Sequence, residues 1–272
     1  MKQNLFFTAF IFSVLLTGFK ANAQFSDLVQ KAKDKAAQKA SDMMDKKSSG
    51  SNTNQSTDNV KKSSKLTINA GFDFIAGDSV LFAEDFAKDA DGSTTHAFKT
   101  NGSAGVVSLK EEGGKWLALQ DNSTYKLSKQ LFYPKHFTVE FDVIAVADQI
   151  KDIYPFVTGF TKDNSVRDFD SGSGAYVNIM YYNSSQVQIN SSYNGKYLDT
   201  KFDLEQFANR KMHIAINVDG DRMVVYLEKT KLADTQLFLP ESPKNFYLSA
   251  PMQYHNSSKI LVSNFKIATF KN

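Results

Sequence analysis

The chain contains no cysteine, which removes disulfide staples, thiolate metal ligands and a cysteine nucleophile together. Histidine is scarce: His96, His136, His213 and His255 stand apart, in no H-E-x-x-H or related metal-ligand spacing. Neither a G-x-S-x-G nucleophile elbow nor a phosphate-cradling glycine loop occurs. The apolar run Leu5 to Leu16 is shorter than the ~18–20 residues that span a bilayer. A basic surplus is missing from most of the chain as well. The formal net charge of the 272 residues is +3, but residues 24–65 hold nine Lys against five Asp, and Lys2 and Lys20 precede them. Residues 66–272 are left with 21 basic and 24 acidic side chains, a net −3 that argues against nucleic acid as a partner.

What is present is β-strand pattern. In Lys211 to Lys229, Ile214, Ile216 and Val218 alternate with His213, Ala215 and Asn217, the period-2 signature of a strand with one buried face. Asp219-Gly220 then supplies a tight turn, and Met223 to Leu227 returns, so a hairpin is expected. Similar runs are Ser79 to Phe86, Gly105 to Leu109, Lys115 to Leu119, Phe137 to Val146, Phe156 to Thr161, Ala175 to Tyr182, Gln186 to Ser191, Phe246 to Ser249 and Ile260 to Phe270. Glu205 to Asn209 reads as one helical turn. Ten or more strands joined by polar turns predict an all-β, two-sheet antiparallel sandwich over residues 66–272.

The first 65 residues read differently. Residues 1–23 have the form of a secretory signal peptide: Lys2, an apolar stretch, then Ala21-Asn22-Ala23 as cleavage site, with Gln24 starting the mature chain. No Cys stands at that site, so a lipid anchor is not expected, and the location implied is periplasmic or secreted. Residues 24–47 read as a Lys/Ala-rich amphipathic helix, with Phe25, Leu28, Val29, Ala32, Ala36, Ala40 and Met43 at helical spacing. Residues 48–65, rich in Ser, Asn, Thr and Lys, read as a disordered linker.

Alternation also sorts faces. Val139, Phe141 and Val143 point inward, leaving Glu140 and Asp142 outside; Val177, Ile179 and Tyr181 leave Tyr176, Asn178 and Tyr182. Val187 and Ile189 leave Gln188 and Asn190, and the hairpin leaves His213 and Asn217. If these strands share a sheet, its outer face carries carboxylates, amides and tyrosines, which suit a polyhydroxylated ligand; an ordinary wet sheet face has the same composition. Glu140-x-Asp142 sets two carboxylates side by side, as glycoside hydrolysis requires. Laminarinase-type hydrolases on such sandwiches carry E-x-D-x-x-E, and Ala145 stands where the second catalytic Glu belongs, so no catalytic residue is assigned. No cofactor is implied. Structural calcium could be held by Asp168-x-Asp170 in the segment Asp163 to Gly174, or by Glu84-Asp85 with Asn264.

The run GFDFIAGDSVLFAEDF, Gly71 to Phe86, resembles the opening of a module in Bacteroidetes envelope proteins, as do FTVEFDV, HIAINVDGDRMVVYL and VSNFKIA further on. The resemblance spans about residues 70–270 and implies a concanavalin A-like (laminin-G-like) jelly roll in a Gram-negative envelope. In that family the module often precedes an OmpA-like peptidoglycan-binding domain; its D-x-x-G…N-x-x-L-S-x-x-R-A phrase is not found in these 272 residues, so peptidoglycan anchoring is not carried over. The expectation is an exported, non-catalytic module recognising carbohydrate or an envelope partner. A structural or protein-interaction role and a divergent glycan-active enzyme are the alternatives.

Overall fold

The structure, a computed structural model, describes residues 72–271. The expected signal peptide, Lys/Ala helix and linker lie outside the described residues. Among those residues the strands, in chain order, are β1 Ser79–Glu84, β2 Phe98–Thr100, β3 Ala104–Ser108, β4 Lys115–Leu119 and β5 Thr124–Leu127. They continue as β6 His136–Val146, β7 Phe156–Thr161, β8 Ala175–Met180, β9 Gln186–Ser191 and β10 Lys196–Lys201. The last are β11 Lys211–Asp219, β12 Arg222–Leu227, β13 Thr230–Gln236, β14 Asn245–Ser249 and β15 Lys259–Thr269. Two 3-10 turns, Ile150–Asp152 and Glu205–Phe207, make up the helix of the described residues. None of it is long and apolar enough to cross a membrane.

All strand pairs are antiparallel, in two sheets. Sheet A runs β13-β12-β11-β6-β15-β4-β3, with β1 also on β15; sheet B runs β10-β9-β8-β7-β14-β5-β2. The order β4-β15-β6 in one sheet is repeated as β5-β14-β7 in the other, because the links β4 to β5, β6 to β7 and β14 to β15 each change sheet. That wrapping gives the expected concanavalin-like jelly roll. Plain meanders, β7 to β10 in sheet B and β11 to β13 in sheet A, extend it on one side.

The core lies between the sheets, where alternating apolar residues meet. Phe137, Val139, Phe141 and Val143 of β6 are fully buried. Phe141 stacks on Phe265 of β15 at 5.1 Å and meets Phe246 of sheet B edge-on at 5.8 Å. A smaller apolar cluster, with Trp116, Ile144 and Leu261, sits apart from this core. The hairpin forms between β11 and β12, but its two-residue turn is Gly220-Asp221, one position beyond the expected Asp219-Gly220. Gly220 takes φ +62°, the left-handed backbone that a tight hairpin demands of its first turn residue.

Candidate functional site

The nine expected site residues divide between the two outer faces of the sandwich. Glu140, Asp142, His213 and Asn217 lie on β6 and β11, which pair with each other over nine positions in sheet A. Tyr176, Asn178, Gln188 and Asn190 lie on β8 and β9 of sheet B, and Tyr182 follows β8. The condition that these strands share one sheet therefore fails. Alternation decides inside from outside, but both sheets of a sandwich have an outside.

On sheet A most of the polar side chains are engaged with one another, although Glu140 Oε1 is buried without a hydrogen-bond partner. His213 Nδ1 lies 2.7 Å from Asp142 Oδ1, and Asn264 Nδ2 donates to Asp142 Oδ2 at 2.8 Å. Asn264 reaches it from a bulge in β15, at φ +56°. Glu140 sits between two cations, 3.7 Å from His213 Nε2 and 3.8 Å from Lys266 Nζ. The bonds from Asp142 and then Glu140 raise the His213 pKa to about 9, so the ring is cationic at neutral pH. Burial opposes the charge on Asp142, but the bonds from His213 and Asn264 outweigh it and hold the carboxyl below its ordinary range. An imidazolium locked between two carboxylates is a poor base near neutral pH. Asn217 is engaged as well, with its Oδ1 3.2 Å from His136 Nε2.

The outer face of sheet B is built otherwise. Residues 162–174, between β7 and β8, lie across β5 and β14 and bury side chains that alternation points outward: Thr124, Lys126 and Tyr247. The segment is fastened at several points. Asp170 N–H donates to Thr124 Oγ1 at 2.7 Å, Tyr247 Oη to the Ser173 carbonyl at 3.2 Å, and Asn164 Nδ2 to the Leu127 carbonyl at 3.0 Å. Gly174, at φ +76°, is where it rejoins the sheet; a Cβ there would stand 2.0 Å from the Phe160 carbonyl oxygen. Beneath it opens a pocket of about 620 Å³, lined among others by Lys126, Asp163, Arg167, Asp170 and Tyr193.

Beside the pocket, the outward side chains of β8, β9 and β10 range from buried Asn190 through half-buried Tyr176, Asn178 and Gln188 to exposed Tyr197. Asn178 Nδ2 donates to Gln188 Oε1 at 3.3 Å, and Gln188 Nε2 to Tyr197 Oη. Asn190 pairs with Tyr176 on one side and Tyr197 on the other. The amide oxygens of both Asn178 and Asn190 are buried and have no hydrogen-bond partner within the protein. A buried acceptor left unpaired costs about 1–3 kcal/mol, a cost that a donor would relieve if the neighbouring side chains moved to admit it. At the end of the sheet away from the pocket, Tyr182 and Tyr154 lie 6.0 Å apart at 30°, and His255 lies 5.6 Å beyond Tyr154.

The calcium groupings do not fit a metal. Asp170 Oδ1 accepts the backbone N–H of Gly172 and Ser173, and Asp163 Oδ1 that of Ser165. The buried Lys126 ammonium already occupies the oxygen-lined space, 3.0 Å from the Asp163 carbonyl. Glu84 and Asp85 turn back to the N–H groups of Phe86 and Ala87, and Asn264 turns to Asp142. Among the described residues no group of three or more His, Asp or Glu could hold a metal ion.

Lys126, Tyr193, Tyr197 and Tyr154 were not expected in a site. Lys126 alternates outward in Thr-Tyr-Lys-Leu, but nothing local tells that a loop 40 residues on covers it. Tyr197 lies on β10, whose sequence Lys-Tyr-Leu-Asp-Thr-Lys has the charge of an edge strand.

No protein-family profile and no curated protein matches this sequence. Solved structures similar to it include a sialidase (13% identity, TM-score 0.48, 72% of this chain and 19% of that one). The botulinum neurotoxin serotype D binding domain matches at 12% identity and TM-score 0.48, over 71% of this chain and 48% of its own. Arcelin-5, a lectin-like defense protein from Phaseolus vulgaris, matches at 12% and 0.48, over 68% of this chain and 96% of its own. This chain thus spans about a fifth of the sialidase and about half of the toxin chain. At these identities and scores the likenesses carry nothing about ligand or reaction.

Proposed function

We propose that the chain is an exported, non-catalytic carbohydrate-binding module of a bacterial cell envelope, and that glycan lies across the outer face of sheet B. The observation that carries this reading is the pair of buried, unpartnered amide oxygens of Asn178 and Asn190, set among Gln188, Tyr176 and Tyr197. Sugar hydroxyls supply the donors these acceptors lack, and tyrosine rings offer flat apolar surface to a sugar's C–H face. From Tyr176 to Met180 the strand direction covers about 13 Å at ~3.3 Å per residue, room for two or three sugar units in line. Export and envelope location rest on the signal-peptide form of residues 1–23 and on the resemblance of Gly71 to Phe86 to envelope modules. The non-catalytic part rests on sheet A, where His213 and Lys266 balance the charges of Glu140 and Asp142.

The test is a calorimetric screen of the full chain against plant and bacterial polysaccharides and peptidoglycan. Saturable binding is expected, weakened about fivefold or more by Asn190→Ala, the worth of roughly one hydrogen bond, and also weakened by Tyr182→Ala. Asn217→Ala, on the opposite face, should leave it unchanged. Binding lost through Asn217→Ala but not through Asn190→Ala would place the site on the wrong sheet, and turnover of any bound polysaccharide would overturn the non-catalytic reading.

A further inference from the structure

The pocket beneath residues 162–174 narrows the ligand class, on the premise that glycan binds to sheet B. Lys126 forms its floor, with 4% of its side chain exposed. Two of its ammonium N–H groups donate to Thr161 Oγ1 at 2.9 Å and the Asp163 carbonyl at 3.0 Å. The Asp163 carboxylate lies 3.8 Å from the same ammonium, beyond hydrogen-bond length, and is mostly exposed and bonded to the Ser165 N–H. Tyr193 lines the same pocket with a buried hydroxyl that has no partner in the protein. At the rim stand two exposed cations, Lys162 and Arg167, and two exposed carboxylates, Asp163 and Asp168. The lining also holds Asp170, and Asp163 and Asp170 each direct an oxygen to backbone N–H groups of the loop. The pocket therefore pairs a buried ammonium, whose nearest carboxylate lies 3.8 Å away, and an unpartnered phenol with a mouth of mixed charge, where Lys162 and Arg167 stand beside Asp163 and Asp168.

We infer that this pocket receives the carboxylate of an acidic sugar unit, such as a uronic acid, held by Lys126 Nζ and Tyr193 Oη and drawn in by Lys162 and Arg167. A hydroxyl could satisfy the phenol, whereas a carboxylate gives the buried ammonium a charge-assisted bond, stronger than one to a neutral oxygen. The unit so held would sit at the pocket end of the glycan, with the rest of the chain running along β8 and β9.

The experiment titrates the full chain with carboxylated oligosaccharides, oligogalacturonides, alginate fragments and sialylated oligomers, each beside a neutral and a sulfated oligomer of equal length. At least one acidic series should bind more than about tenfold tighter than its neutral counterpart, with affinity falling as salt rises. Lys126→Met should erase that preference. Tyr193→Phe and Arg167→Ala, which leave the loop fastenings in place, should weaken the acidic series several-fold and spare the neutral one; they keep the test valid if Lys126→Met does not fold. Equal affinity for acidic and neutral oligomers, a preference for sulfated over carboxylated sugars, or an unchanged preference in all three variants overturns the carboxylate site while leaving the sheet-face reading intact. Absence of binding to every oligomer, acidic and neutral, overturns both.

Discussion

Replacing Asp142 by Asn removes the charge that holds His213 in its cationic form and keeps a side chain of the same shape. In the native protein the His213 pKa rises from 6.5 to about 9. A group whose pKa is raised by folding contributes stability that is fully present below the unfolded value and is lost as pH climbs to the folded one. The native protein should therefore lose stability between pH 6.5 and about 9. Each tenfold change in proton affinity corresponds to about 1.4 kcal/mol, which would give about 3 kcal/mol for a group wholly shielded from water. His213 is 36% exposed, and solvent screening reduces this to about 1–2 kcal/mol. Asp142 acts in the opposite window: its pKa is lowered, so its contribution is present above the ordinary carboxylate range and fades on acidification. The assay is urea unfolding at half-unit steps from pH 5 to 9.5, with the His213 ring titrated by NMR. Asp142→Asn should flatten the decline above pH 6.5 and bring the His213 pKa down toward its ordinary value, with Glu140 alone still holding it. A native protein equally stable at pH 6.5 and pH 9, or an unmoved His213 titration in the variant, would refute the account of this network.

Phe141→Ala removes the ring that joins Phe265 to Phe246 across the two sheets; it should cost about 3–5 kcal/mol in urea unfolding, and a loss below 1 kcal/mol would mean that the core closes without it. Gly174→Ala places a Cβ against the Phe160 carbonyl at a left-handed backbone position, so hydrogen exchange should rise across residues 162–174 while the β6 amides stay protected; unchanged exchange would show that the loop tolerates a side chain there. Treatment with a chelator should leave the melting temperature unchanged, because Asp163 and Asp170 bond the loop backbone and Lys126 supplies the cation. A drop in melting temperature that calcium restores would contradict that.

The strand framework was legible wherever one face is apolar. Lys115–Leu119, Phe156–Thr161 and Gln186–Ser191 are strands with the expected bounds, and Glu205–Phe207 is the expected helical turn. The strands that pattern did not reveal are β2, β5, β10 and β13. β2 and β5 are too short to show a period, and β10 and β13 are edge strands whose charge breaks it. The site was half legible. The outward position of Asn178, Gln188 and Asn190 followed from alternation, but their separation from Glu140 and His213 did not, since which strands pair is decided by contacts far apart in sequence. The same holds for Lys126: its burial is the work of residues 162–174, and a basic residue in a short polar segment gives no local sign of that.

The most direct test of the central claim is an NMR titration of isotopically labelled full chain with the tightest oligosaccharide from the screen. Shifts should gather at the side-chain amides of Asn178, Gln188 and Asn190 and along residues 162–174, all on sheet B, with the signals of His213, Asn217 and Asn264 unmoved. Perturbations centred on Glu140, Asp142 and His213, or spread over both sheets without focus, would contradict the assignment of the binding face.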